Sequence, residues 1–172
     1  GTSARATGFE NTAWSFSETV IGTFASNYTA TNTGSYFSTD RVFVVGNGAN
    51  SGNRSNAITT LKNGSTGFGN ITPASTVDVN GTFGTKVLTG QSAGGNNPNG
   101  NATVWIYNAG TGTITLPAAS TCANRRYIIV NATGASRNIS SYNNLAGAAE
   151  TTIANGSSIE IISDGTAWYQ IR

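Results

Sequence analysis

The chain is predicted to be all-β, and three observations carry that prediction. Charged residues make up only 9% of the sequence, against roughly 25% in ordinary soluble proteins, too few to solvate the outer faces of helices. Gly, Ser, Thr and Asn dominate the composition; β-branched Thr favours the pleat, and Gly and Asn tolerate the positive φ of tight turns. Apolar residues arrive in short pulses bounded by those turn formers, the pattern of short, half-buried strands. With 37% apolar residues and aromatics along its whole length, the chain is expected to fold rather than stay disordered.

Residues 1–48 read as β-solenoid-like repeats. Gly8, Gly22 and Gly34 open three similar stretches, GFENTAWS, GTFASNYT and GSYFSTDR, as in small coils that bury their apolar side only by stacking on the next. The third stretch leads into Arg41-Val-Phe-Val-Val-Gly46, a strong strand signal, and then into the turn-forming cluster GNGANSGNRSN. Residues 49–89 read as a turn-rich linker or neck. In its segment from Asn56 to Gly81, Leu61, Phe68, Ile71, Val77 and Val79 are spread too thinly for a self-contained core, so their burial is expected to depend on neighbouring segments or chains.

The Gly-rich and Asn-rich run from Gly90 to Asn101 reads as a long loop and the main boundary. Residues 90–172 read as a compact β-sandwich-like or barrel-like module. Its strand signals are Val104 to Tyr107, Thr113 to Leu116 closed by Pro117, Arg126 to Val130, and Ser158 to Ile162. The last passes through Ser163-Asp-Gly165 into Trp168-Tyr-Gln-Ile171; Asp-Gly between alternating strands is a hairpin signal, with Trp168 and Tyr169 on opposite faces.

Several function classes fall away. The chain has no histidine, which removes His-based triads, the commonest general base and the commonest metal ligand together. The seven acids are Glu10, Glu18, Asp40, Asp78, Glu150, Glu160 and Asp164; none forms a recognisable catalytic pair, so no enzyme activity, cofactor or metal site is expected. A net charge of +2 comes from isolated Lys and Arg residues, only Arg125 and Arg126 being adjacent, so no stripe follows a phosphate backbone and nucleic acid is not an expected partner. No apolar run reaches the roughly 20 residues of a membrane-spanning helix, and membrane insertion is not expected. Cys122, the sole cysteine, excludes an intrachain disulfide and reads as a small buried hydrophobe. A chain without methionine is expected to be processed or excised from a longer product.

What remains is a surface rich in groups that bind sugars, because Trp and Tyr faces stack on sugar rings while Asn and Ser bond hydroxyls. The candidate ligand residues are Trp14, Trp105, Tyr107, Tyr142, Asn143 and Asn144, together with Asn96 and Asn97 in the Gly94 to Asn101 loop. Two threonine tracks, Thr29 to Thr33 and Thr111 to Thr115, offer ice binding as a remote alternative, and polysaccharide cleavage is another. Nine Asn-X-Ser/Thr sequons occur, among them Asn27, Asn63 and Asn131, where about five would arise by chance in a chain this rich in Asn, Ser and Thr, and they are read as compositional.

The runs DRVFVVGNG at Asp40 to Gly48, RSNAITTLKNGSTGFG at Arg54 to Gly69 and TPASTVDVNG at Thr72 to Gly81 resemble linkers in phage tail fibres and Bacteroidota surface proteins. ATGFENTA and VIGTFASN resemble the β-roll heads of trimeric autotransporter adhesins, and SIEIISDGTAWYQI at Ser158 to Ile171 resembles the closing module of many tail fibres. The resemblance implies an elongated parallel homotrimer, extracellular or on a virion, in a phage tail fibre, an injection-system fibre or a bacterial adhesin, that attaches to a cell-surface receptor, commonly a glycan. Apolar side chains too few for one chain then meet around a threefold axis. The alternative from another class is a structural filament or matrix subunit without a specific ligand.

Overall fold

The computed structural model describes all 172 residues. The chain is all-β, with no α-helix and a single 3-10 turn at Ala119–Thr121. It divides into two compact units, Gly1–Phe83 and Gly84–Arg172, each with one sheet.

The first unit contains β1 (Arg5–Ala6), β2 (Thr19–Thr23), β3 (Arg41–Asn47), β4 (Asn56–Leu61), β5 (Thr66–Phe68) and β6 (Val77–Val79), lying side by side in chain order. β1, β2 and β3 are parallel, β3, β4 and β5 antiparallel, and β6 runs parallel to β5. Glycine sets how closely the parallel strands and the turns beside them approach. A Cβ on Gly8 would lie 1.9 Å from the Gly22 carbonyl oxygen, and one on Gly22 would lie 2.2 Å from that of Gly46; both glycines have positive φ. The third rung is therefore Gly46, not Gly34 as the sequence spacing suggested. Gly34 sits instead in a long connection between β2 and β3 and has no backbone neighbour of this kind.

The stretch expected to be a linker is built into this sheet. β4 pairs with β3 along its length, joined by a turn in which Asn50 Oδ1 accepts from the Gly52 and Asn53 amides. No division falls near residue 48; the one division follows Phe83, six residues before the expected boundary at 89, and the β3–β4 and β4–β5 ladders bind residues 56–68 to the strands before them.

The second unit contains β7 (Val87–Ala93), β8 (Val104–Gly110), β9 (Arg126–Asn131), β10 (Arg137–Asn143), β11 (Ala149–Ile153), β12 (Ser158–Ser163) and β13 (Trp168–Gln170), in the order β11-β10-β13-β12-β9-β8-β7. Of the sandwich-like and barrel-like alternatives, two facing sheets do not form. One sheet bends round on itself instead: Ile114, just past β8, forms a parallel bridge with Ile139 of β10, and Asn131 at the end of β9 donates to the Ile153 carbonyl of β11. Its inner face supplies the core, with Trp105 and Tyr107 of β8, Tyr127 and Ile129 of β9, Ile159 and Ile161 of β12, and Trp168 of β13. Alternation along each strand sends these side chains inward. Cys122 is buried among them.

The Gly90 to Asn101 run is not a free boundary loop. β7 continues to Ala93, and the remainder is tied to the core: Tyr107 and Tyr127 hydroxyls donate to the Asn96 and Asn99 carbonyls at 3.0 and 2.9 Å. The Asp-Gly hairpin forms as expected, pairing Ser163 with Trp168; Trp168 is buried and Tyr169 exposed.

Candidate functional site

The clefts of the first unit meet at Tyr28. The larger, about 390 Å³, is lined by Trp14, Asn27, Tyr28, Thr29, Ala30 and Thr33. A second, about 270 Å³, lies on the Arg41 side of Tyr28 and is closed by Leu61, Ile71 and Pro73. The lining segment 27–33 is irregular in backbone, yet it is held at several points. Asp40, itself buried, accepts from the Thr31 and Asn32 amides through its two carboxylate oxygens, both at 2.8 Å. The Thr2 amide donates to the Thr33 carbonyl at 2.7 Å.

Charged groups lie beneath this cleft. Glu18 is buried, and its Oε2 accepts from the Trp14 and Ser15 amides while Oε1 has no hydrogen-bond partner. Lys62 Nζ donates to the Arg41 carbonyl at 2.7 Å and the Ser15 hydroxyl at 2.8 Å. The Arg41 guanidinium lies 4.1 Å from the Tyr28 ring centroid and donates to the Ser26 carbonyl. Burial pushes the Glu18 carboxyl up from its ordinary value, opposed by the Ser15 and Trp14 amides and the charges of Arg41 and Lys62. Burial likewise raises the Tyr28 phenol and lowers Arg41 and Lys62.

The sequence-derived candidates scatter. Trp14 is 39% exposed and lines the larger cleft. Trp105, Tyr107 and Tyr142 are buried, their polar atoms spent on the Ala102, Asn96 and Thr152 carbonyls; burial pushes the Tyr107 phenol well up. These three rings therefore present no face to a ligand in this chain. Asn144 folds back onto the Ala146 and Ala148 amides and Asn96 onto Ser92, the turn chemistry that makes Asn common in such loops, while Asn97 accepts from the distant Thr115 amide and so ties its loop to the segment after β8. Asn143 is half-buried in a groove of about 380 Å³ that it shares with Tyr142, Ser141, Thr166 and Trp168. Asn27, Tyr28, Thr29 and Thr33 also line the Trp14 cleft, though the sequence reading placed none of them among the sugar ligands: Asn27 read as a sequon, Thr29 to Thr33 as a threonine track, and Tyr28 inside GTFASNYT went unused.

Both threonine tracks fall outside the strands, apart from an isolated bridge at Ile114. No group of three or more His, Cys, Asp or Glu residues converges, and no helix is long and apolar enough to cross a membrane.

A second surface of the first unit is apolar and open. Ile21, Val45, Ile58, Phe68 and Val79 are paired in register across β2 to β6, so their side chains form one row on one face. Phe43 and Val77 lie in the adjoining row, with Thr19, Thr60 and Thr66 between them. No charged side chain stands in the first row, and in the second the one charge is Arg5, at its β1 end beside Thr19; Phe68 and Val77 are 44% and 61% exposed. The opposite face carries Val20, Val44 and Thr59, all buried.

Compared with known protein families, curated proteins and solved structures, the chain matches none.

Proposed function

We propose that this chain is a subunit of a non-enzymatic attachment fibre, a parallel homotrimer with solenoid-like coils, displayed outside the cell or on a virion. Its receptor is a cell-surface glycan, engaged through repeated sites on one assembly, so that weak single sites add up to tight attachment. The observation that carries this reading is the open apolar row from Ile21 to Val79. A face of this kind, without charge and spanning five strands, is ordinarily covered, and identical copies around an axis cover it with its own chemistry. Covering each half-exposed side chain contributes about 1 kcal/mol.

Light scattering on the purified chain is expected to give three times the chain mass of 17.6 kDa. Phe68→Lys places a charge in the middle of the row and is expected to yield monomer at micromolar concentration with the β-type circular dichroism spectrum unchanged. A monomer mass for the unsubstituted chain would sink the trimer.

A second reading, the structural filament subunit, draws on one feature. β6 is a three-residue edge strand with Val77 and Val79 exposed, and its one charge, Asp78, is turned back onto the Ala74 amide, which leaves a short open edge to which a further strand can add. Concentration-dependent polymers in negative-stain images, with a glycan array left blank, would favour it.

A further inference from the structure

We infer that the Trp14–Tyr28 cleft is the sugar-binding site and that it takes a neutral glycan; this rests on the glycan-receptor reading above and names its site and ligand class. The lining combines two aromatic side chains with Asn27, Thr29 and Thr33 and includes no charged residue. Aromatic rings pack against the C–H faces of a sugar, while an amide and hydroxyls exchange hydrogen bonds with its hydroxyl groups. An acidic sugar, by contrast, calls for a cation at its carboxylate or sulfate. The nearby cations are committed elsewhere, Lys62 to the Arg41 carbonyl and Ser15 hydroxyl and Arg41 to the Ser26 carbonyl.

Tyr28 is set for this role from behind. Arg41 covers its ring at 4.1 Å and lines the neighbouring cleft rather than this one, so the cation is held on the other cleft while Tyr28 itself lines the Trp14 cleft. Trp14 is fixed through its amide by buried Glu18, and the Thr31–Asn32 backbone by buried Asp40. The cleft is thus preformed, which lowers the ordering cost of binding. The groove at Asn143 offers no equivalent, because the Trp168 and Tyr142 rings that line it are buried and bonded to backbone carbonyls.

Trp105 and Trp168 are buried, so a tryptophan emission change on adding a soluble sugar reports Trp14. The test uses the full chain made in bacteria, because Asn27-Tyr28-Thr29 is a sequon whose modification would fill the cleft. A glycan array carrying neutral, sialylated and sulfated oligosaccharides is read first, followed by fluorescence titration with the neutral hits. Binding to neutral glycans is expected, weakened about tenfold or more in Trp14→Ala and a few-fold in Asn27→Ala, with Asn143→Ala unchanged. Asn27 is exposed, so its variant tests the cleft even if Trp14→Ala fails to fold. Neutral-glycan binding that survives both cleft variants would overturn the site and leave the glycan reading standing. Binding confined to acidic glycans would overturn the ligand class. An array blank in every class overturns the glycan receptor itself, and the cleft with it.

Discussion

The two units bury opposite chemistries. In the second, the inside of the sheet is a continuous apolar cluster from Ala93 to Trp168 with Tyr127 and Trp168 rings 5.3 Å apart. In the first, the buried apolar cluster is only Val20, Ala25 and Val44, and the interior is completed by Ser15, Glu18, Asp40, Arg41, Asn56 and Thr59. Its larger apolar side chains are outside, along the row from Ile21 to Val79. Hydrophobic burial scales with apolar area removed from water, so the second unit is equipped to be stable by itself. The first relies on hydrogen-bonded polar groups and leaves its apolar area uncovered.

Substitutions sharpen this contrast. The largest effect is expected in the second unit, where Trp168→Ala removes a buried ring and costs about 3–5 kcal/mol, read as a shifted midpoint in urea. The same truncation at Phe68 is expected to change monomer stability far less and assembly far more. Equal losses at the two sites would break the comparison.

An intermediate effect is expected at Glu18. Glu18→Ala leaves the Trp14 and Ser15 amides without their acceptor and costs about 2 kcal/mol below pH 4.5, and less at neutral pH, where burial works against the ionised carboxylate. The pH dependence carries the sign. Burial raises the folded-state value above the ordinary 4.5, so the contribution of this group to stability is fully present below 4.5 and is lost as pH rises through the raised value. Glu18→Gln is expected to flatten that loss in equilibrium unfolding measured at a series of pH values; an unchanged profile would remove Glu18 as its source.

The smallest effect is expected at Asp164 in the exposed hairpin of the second unit, and it runs the other way. The Ala167 amide, with the Thr166 hydroxyl and amide, holds this carboxyl down at about 2 against an ordinary 3.8. Its contribution is present above 3.8 and is lost as pH falls through about 2. Asp164→Asn is expected to leave stability at pH 7 slightly lower and to remove the part of the acid loss between those values.

The sequence was legible where a residue's type dictates its geometry. Asp164-Gly165 made its hairpin, Arg41 to Gly46 made a strand, and Gly8 and Gly22 made rungs, because turns and close backbone contacts depend on local chemistry. Partner choice was not legible. Gly34 and Gly46 look alike in a sequence, and only the length of the β2–β3 connection decides which stacks on Gly22. β10 and β11 escaped notice because RNISSYN and AETTI are mostly polar, their pairing supplied by neighbours. Of the aromatics proposed as ligand platforms, Trp105, Tyr107 and Tyr142 proved to be core, since type alone does not tell which face of a strand is covered. The cleft itself depends on Asp40 reaching back to Thr31 and Asn32, a tie across an irregular segment that no periodicity announces.

The glycine rungs at Gly8, Gly22 and Gly46 bear on how such a chain changes over generations. They join main chain to main chain, so they are indifferent to what the intervening segments contain and even to how long those are: Arg5 aligns with Thr19 and Thr19 with Phe43 across connections of unequal length. The longer connection carries Asn27, Tyr28, Thr29 and Thr33. Drift and insertion there reshape one exposed pocket while the stack beneath it stays in register, an arrangement suited to a surface that must keep pace with a changing target.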